Sequence, residues 1–79
     1  MKLAVGELYA ICSNYYLVVK KNNEVIYSNM TISTGVFDDV KDLLVEEFGV
    51  FKDENSGIAY LLVKVHISLK RKRYSRYLL

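Results

Sequence analysis

Cysteine and histidine are almost absent from this chain of 79 residues, which carries one of each, Cys12 and His66. A single cysteine cannot form a disulfide within the chain, and its isolation fits a reducing compartment. The sequence also lacks a glycine-rich phosphate loop, a Cys/His metal-binding spacing and a nucleophile elbow. Strand patterns place Cys12 toward the core and His66 toward water, so a Cys–His catalytic pair is not expected. We predict a protein that is not an enzyme and that uses no cofactor or metal.

Proline and long apolar runs are absent as well. The chain has no proline, no low-complexity tract and no internal repeat. Because 79 residues are too few to bury two cores, we predict one α+β domain over residues 1–79. No apolar run approaches the roughly 18 residues needed to span a bilayer, and Glu7 interrupts the apolar stretch that a signal peptide would need. We expect an intracellular, cytoplasmic protein with no membrane partner.

The strongest pattern in the sequence lies in residues 58–77. From Ala59 to Leu69 the odd positions are apolar, whereas the even positions after Leu62 are polar. Such a period of two predicts a strand with one face on the core and one face in water. Residues 70–79 follow as a basic and aromatic extension of this strand, too long for the rest of the sheet to pair. The inward side chains are predicted to be Leu61, Val63, Val65 and Ile67.

The residues before this strand predict a meander. Strand patterns cover residues 2–12, 15–21 and 24–33, with two-residue turns at Ser13-Asn14 and Asn22-Asn23. These turns place Glu7 opposite Lys20 and Lys21 opposite Glu24, and opposite charges across a sheet stabilise its register.

Between Val36 and Phe48 the apolar residues change to helical spacing, and Gly49 is a natural helix end. The predicted order is β-β-β-α-β: an antiparallel three-strand meander, a crossover helix packed on one sheet face, and a long C-terminal strand. The acidic residues Asp38, Asp42 and Glu46 share one side of this predicted helix. Since no histidine is near them, a solvated surface is favoured over a cation site.

One helix covers only one face of the predicted sheet, and the other face stays uncovered. Contiguous apolar and aromatic surface on a small protein usually marks an interface. We predict that this face forms a homodimer or another protein contact. Its residues are Tyr9, Ile11, Tyr16, Val18 and Tyr27.

Charge is distributed unevenly along the chain. Residues 38–54 carry a net charge of −5, and the remaining residues carry +7. Basic side chains interleaved with tyrosines suit DNA or RNA, because cations follow phosphates and aromatic rings stack on bases. We predict a site for nucleic acid or a nucleoprotein complex that comprises Lys64, Lys70, Arg71, Lys72, Arg73 and Arg76, with Tyr60 and Tyr74 stacking.

A protein-binding role is the alternative hypothesis. A chain this small, without catalytic groups, suits a protein-interaction module or a virus-encoded or plasmid-encoded inhibitor. Such an inhibitor would act as a homodimer and occlude a larger host complex. The basic C-terminal segment could also dock on the acidic residues of a second copy, an attraction that is strongest at low salt.

Overall fold

The computed structural model describes residues 3–30 and 33–70, with side chains as far as residue 66. Within these residues the chain forms two short helices and four strands, which confirms the α+β class. Neither of these helices is long and apolar enough to cross a membrane. The elements are α1 (Val5–Ile11), β1 (Tyr16–Lys21), β2 (Glu24–Ser28), α2 (Phe37–Val40), β3 (Leu43–Lys52) and β4 (Ala59–Lys70).

The four strands form one mixed sheet in the order β2-β1-β4-β3. Two antiparallel hairpins, β1–β2 and β3–β4, meet where β1 and β4 pair in parallel at the centre of the sheet. The predicted three-strand meander is therefore wrong. Its first segment is helical, and a second hairpin supplies the other half of the sheet.

Helix α1 replaces the strand predicted over residues 2–12. Val5, Leu8 and Cys12 follow helical spacing, and all three pack in or against the core. At the helix start, Glu7 Oε1 accepts a hydrogen bond from the Ala4 N–H at 3.0 Å. The Gly6 N–H donates to the Lys41 carbonyl at 2.9 Å, so amides that a helix leaves unpaired at its first turn are satisfied.

Strand β3 occupies most of the segment predicted to be helical. Only Phe37–Val40 forms a helix, and the acidic row predicted for Asp38, Asp42 and Glu46 does not exist. The pairing of β3 with β4 shifts register between Val45 and Glu47, so a β-bulge holds one extra residue there. Phe48 lies opposite Val63 and thus returns to the sheet face of Val45. Because of the added residue, Val45 and Phe48 share a face although they are three residues apart, a spacing that is typical of a helix.

The β1–β2 hairpin agrees with its predicted turn. Asn22 and Asn23 have φ values of 55° and 66°, which a two-residue hairpin turn requires. The pairing of Lys21 with Glu24 is confirmed. The pairing of Glu7 with Lys20 is wrong, because Glu7 lies in α1.

The core lies between one sheet face and the two helices. The inward orientation predicted for Leu61, Val63 and Val65 is confirmed, since each is at most 3% exposed. Burying an aliphatic side chain of this size contributes about 1.5–3 kcal/mol. The buried cluster comprises Val5, Leu8, Leu17, Val19, Val40, Leu43, Val45, Leu61, Val63 and Val65.

Candidate nucleic-acid interface

The sheet face opposite the two helices is here called the open face. Cross-strand partners share a face, and the strand pairing arranges the open-face residues in three rows across β1, β4 and β3. The aromatic row is Tyr16, Tyr60 and Phe51; the apolar row is Val18, Leu62 and Gly49; the charged row is Lys20, Lys64 and Glu47.

The aromatic row spans three neighbouring strands. Tyr16 is 44% exposed and Phe51 is 51% exposed, so their rings are accessible to a ligand. The ring centroids of Phe51 and Tyr60 are 6.2 Å apart, with an angle of 33° between the planes. Because adjacent strands are about 4.8 Å apart, the three side chains form a strip of aromatic surface roughly two strand spacings wide.

Gly49 gives the apolar row a gap beside Phe51. A Cβ atom at Gly49 would lie 3.2 Å from Phe51 Cε2, so the phenyl ring leans over the glycine. The resulting shallow notch is lined by Phe51, Gly49, Leu62 and Lys64, among others. A planar group placed against this ring would therefore also contact aliphatic surface.

The charged row brings two lysines together. Lys20 lies opposite Lys64 on neighbouring strands, and Lys64 Nζ lies 3.0 Å from Glu47 Oε2. Exposed ion pairs of this kind contribute only about 0.2–1 kcal/mol, so the pair with Glu47 opens at little cost when a stronger anion approaches. His66 follows Lys64 on the same side of β4 and is exposed.

A second depression on the open face lies toward β2. Val18, Leu62, Tyr60 and Asp53 are among the residues that line it, and Met30 and Thr34 form part of its wall. The Ser56 hydroxyl and backbone N–H both donate to Asp53 Oδ2, at 2.7 Å and 2.9 Å. These hydrogen bonds hold the pKa of Asp53 below its ordinary value of 3.8, so one wall of the depression is anionic at neutral pH.

The predicted nucleic-acid residues are only partly within the described chain. Tyr60 and Lys64 lie on the open face, in the aromatic and charged rows. Lys70 is the last residue of β4, and its side chain is not described. The other predicted residues, Arg71, Lys72, Arg73, Tyr74 and Arg76, lie outside the described residues.

Of the predicted interface residues, Tyr16 and Val18 lie on the open face. The placement of Tyr9, Ile11 and Tyr27 on that face is wrong. Tyr9 and Ile11 belong to α1, and Tyr27 lies opposite the core residue Val19.

Tyr9 and Tyr27 instead flank Phe37 on the helix side of the sheet. Their ring centroids lie 6.0 Å and 5.6 Å from that of Phe37. Asn29 joins the cluster to β1: its Nδ2 donates to the Tyr9 hydroxyl at 3.2 Å, and its Oδ1 accepts from the Leu17 N–H at 2.7 Å. These tyrosines thus join α1, α2 and β2.

The lone cysteine and histidine are on different sides of the sheet. Cys12 packs against the core at the end of α1, whereas His66 is on β4 with an exposed side chain. No group of three His, Cys, Asp or Glu side chains among the described residues is arranged to hold a metal ion.

Phe51 and Lys20 belong to the open face but were not predicted as site residues. Phe51 could have been predicted from the turn residues Asp53 to Gly57. A hairpin that turns there pairs Lys52 with Ala59 and Phe51 with Tyr60. Lys20 follows Tyr16 and Val18 at alternate positions of β1, but only the parallel pairing of β1 with β4 brings it beside Lys64.

Comparison with known proteins gave no match to the chain among protein-family models, curated proteins or solved structures.

Proposed function

We propose that this protein binds single-stranded nucleic acid across the open face. The observation that carries the proposal is the aromatic row of Tyr16, Tyr60 and Phe51, with the lysines of the charged row on the same face. Aromatic surface beside cations is the arrangement that sequence-tolerant binding of single strands uses.

The spacing of the rows suits a nucleotide chain. Tyr16 and Lys20 are four residues apart on β1, a distance of roughly 13 Å. Bases would stack on the aromatic row, where each contributes about 1–3 kcal/mol, and phosphates would approach Lys20 and Lys64. The basic run that starts at Lys70, the end of β4, adds to this attraction at the same end of the strand.

Single strands fit this surface better than duplexes. In a duplex the base faces are already stacked on one another, and proteins reach only base edges and the backbone. A row of exposed rings on a sheet has no helix or ribbon that would enter a groove. It offers ring faces, which only unstacked bases can use.

The aromatic row is tested by replacing Tyr16 with alanine. Tyr16→Ala is expected to weaken binding of a labelled single-stranded oligonucleotide of about eight nucleotides by about 5- to 150-fold, because one stacking contact is lost. Phe48→Ala is the matched control, since Phe48 is also 44% exposed but lies on the other sheet face. Fluorescence anisotropy at two salt concentrations measures both variants.

The same titrations test the charged row through the salt dependence of binding. Removing one phosphate contact lowers the slope of log K against log salt by about 0.7 for a single strand. Lys20→Gln is expected to show this loss, and Lys41→Gln, in the helix layer, is expected to keep the original slope. Failure of the unmodified protein to bind single strands at about 50 mM salt would reject the proposal, since charge-driven affinity is strongest there.

A protein partner is the second candidate. The exposed side chains of Tyr16, Val25 and Phe51 lie on one face, and aromatic residues are enriched in protein interfaces. The inhibitor hypothesis stays a prediction, as does the expectation that the chain has no enzymatic activity.

A further inference from the structure

The outer edge of β3 faces no other strand of the described chain along most of its length. Among the described residues, this edge is paired only at its beginning, where the Val45 N–H donates to the Leu3 carbonyl at 2.8 Å and Leu44 bridges to Ala4. Beyond it, Phe48 is 44% exposed and Val50 is 50% exposed. An open, apolar edge strand is a template for pairing with another chain.

The direction of the backbone groups on this edge follows from the hairpin turn. The Asp53 N–H donates to the Ile58 carbonyl at 2.8 Å, so Asp53 directs its hydrogen-bonding groups toward β4. Direction alternates along an antiparallel ladder, and the register is regular from Glu47 to Lys52. The N–H and C=O groups of Phe48, Val50 and Lys52 therefore point outward.

We propose that a second copy of this chain pairs with β3 along this edge, antiparallel, with the two-fold axis at Gly49. Phe48 of each copy then lies opposite Val50 of the other. Both residues present outward N–H and C=O groups, so each such pair exchanges two main-chain hydrogen bonds. The inference does not depend on nucleic-acid binding, because it concerns the strand edge and not the open face.

Charge excludes one of the neighbouring registers. An axis at Val50 would place Glu47 opposite Asp53 of the other copy, which is a repulsive pair. An axis at Phe48 would require the outward edge at Val45, where the N–H is already bonded to Leu3.

Side-chain shape agrees with the same axis. Phe48 and Val50 share the helix side of β3, so the pairing covers both exposed side chains with the same residues of the other copy. On the open face two glycines meet at the axis. Because Gly49 has no side chain, the Phe51 ring that leans over it keeps its position in each copy.

A charge-swap series measured by sedimentation equilibrium on the full chain tests the proposal. The proposed register sets residue 48 of each copy opposite residue 50 of the other. Phe48→Lys/Val50→Lys therefore places like charges across the axis, whereas Phe48→Lys/Val50→Glu places opposite charges there. The first double variant is expected to have a dimer dissociation constant about tenfold higher than the second. Glu54→Lys, a charge change in the β3–β4 turn, is the control and should leave the dissociation constant of the unmodified chain unchanged.

Val50→Pro removes an outward N–H without removing a bond to β4, which edge strands tolerate. This variant is expected to be a folded monomer by circular dichroism and sedimentation; if it does not fold, the charge-swap series decides. Two results overturn the proposal: a chain that stays monomeric at about 1 mM, or equal dimer dissociation constants for the two double variants.

Discussion

Of the four glycines, Gly35 leaves the least room for an added Cβ atom. Its φ is +80°, and a Cβ atom there would overlap the carbonyl oxygen of Ile26. The neighbouring Thr34 pairs with Ser28 through two hydrogen bonds of 2.7 Å and 2.9 Å. The chain can therefore turn back against β2 only because a glycine follows Thr34.

Gly35→Ala is expected to lower the free energy of unfolding by ~3 kcal/mol or more, since it combines a left-handed backbone with a steric overlap. Gly57→Ala is the matched control. Gly57 also has a positive φ, +74°, but the closest atom to its Cβ position is Lys52 Cε at 3.9 Å.

The control should therefore lose only about 1–2 kcal/mol, the cost of the left-handed conformation itself. Urea denaturation of both variants measures the difference. Equal losses for the two glycines would show that the segment after β2 moves away from Ile26 at little cost.

Two asparagine sites show which residue roles can be read from sequence. Asn22-Asn23 was predicted as a turn and is one, because its positive φ values are a local preference of the residue type. Asn29 was not predicted to link α1 with β1. Its side chain bonds Leu17 and Tyr9, so its role arises only after three distant segments have met.

At the level of elements, the helix predicted between Val36 and Phe48 and the outward face predicted for Tyr27 were wrong for the same physical reason. One extra residue in a strand shifts the alternation of all the side chains that follow it. The extra residue near Glu46 shifts the phase of β3, and Ile26 has no partner where β2 shifts against β1. Ile26 and Tyr27 consequently both pack against the core. Bulges carry no residue signature strong enough to be placed before the partner strand is known.

The strand predicted in place of α1 was wrong for a different reason. A short apolar segment matches both the period of a strand and the period of a helix. Leu8 is inward in a strand and in a helix, but Ala10 differs: a strand with Tyr9 and Ile11 on the uncovered face would bury Ala10, whereas the structure exposes it. Ala10→Lys is therefore expected to change the free energy of unfolding by no more than about 0.5 kcal/mol.

Leu8→Ala is the comparison on the same helix. Leu8 is 4% exposed, and its truncation is expected to cost about 2–5 kcal/mol through the cavity it leaves. Thermal or chemical denaturation distinguishes the two outcomes. A large loss for Ala10→Lys would contradict the helical assignment of α1.

For the whole molecule, the parallel pairing of β1 and β4 joins two hairpins into one sheet. Tyr16 pairs with Tyr60, so forming this parallel pairing, here called the seam, closes a loop of more than half the chain. Each hairpin closes only a short turn. Loop closure costs more entropy as the loop lengthens. We expect the hairpins to form early in folding and the seam to form late.

Amide hydrogen exchange is expected to reflect this arrangement. The amides of Leu17 to Val19 and Leu61 to Val63 lie in strands with a neighbour on both sides, so they should exchange only on global unfolding. The outward amides of Phe48 and Val50 should exchange faster by on the order of 10³ or more in dilute monomer. Similar rates for these outward amides and for the amides of Leu61 to Val63 would contradict the edge position of β3.

The candidate site was predictable where alternation within one strand defines a face. Tyr60 and Lys64 in β4 and Tyr16 in β1 were predicted on the uncovered face, and the structure agrees. Their arrangement in rows with Lys20 and Phe51 depends on the register between three strands. That register depends on tertiary pairing between distant segments, which local spacing does not encode.

The two edges of the sheet are unlike, and this determines how far an assembly of such chains could grow. On the β2 side, the strand is five residues long and has a bulge, and Ser28 is bonded to Thr34 beyond it. Bulges and covered edges resist further strand addition. A contact between two β3 edges is isologous, so it consumes the open edge of both partners and closes on itself. An eight-stranded pair flanked by two obstructed β2 edges would therefore be an end point, and a filament would not follow from it.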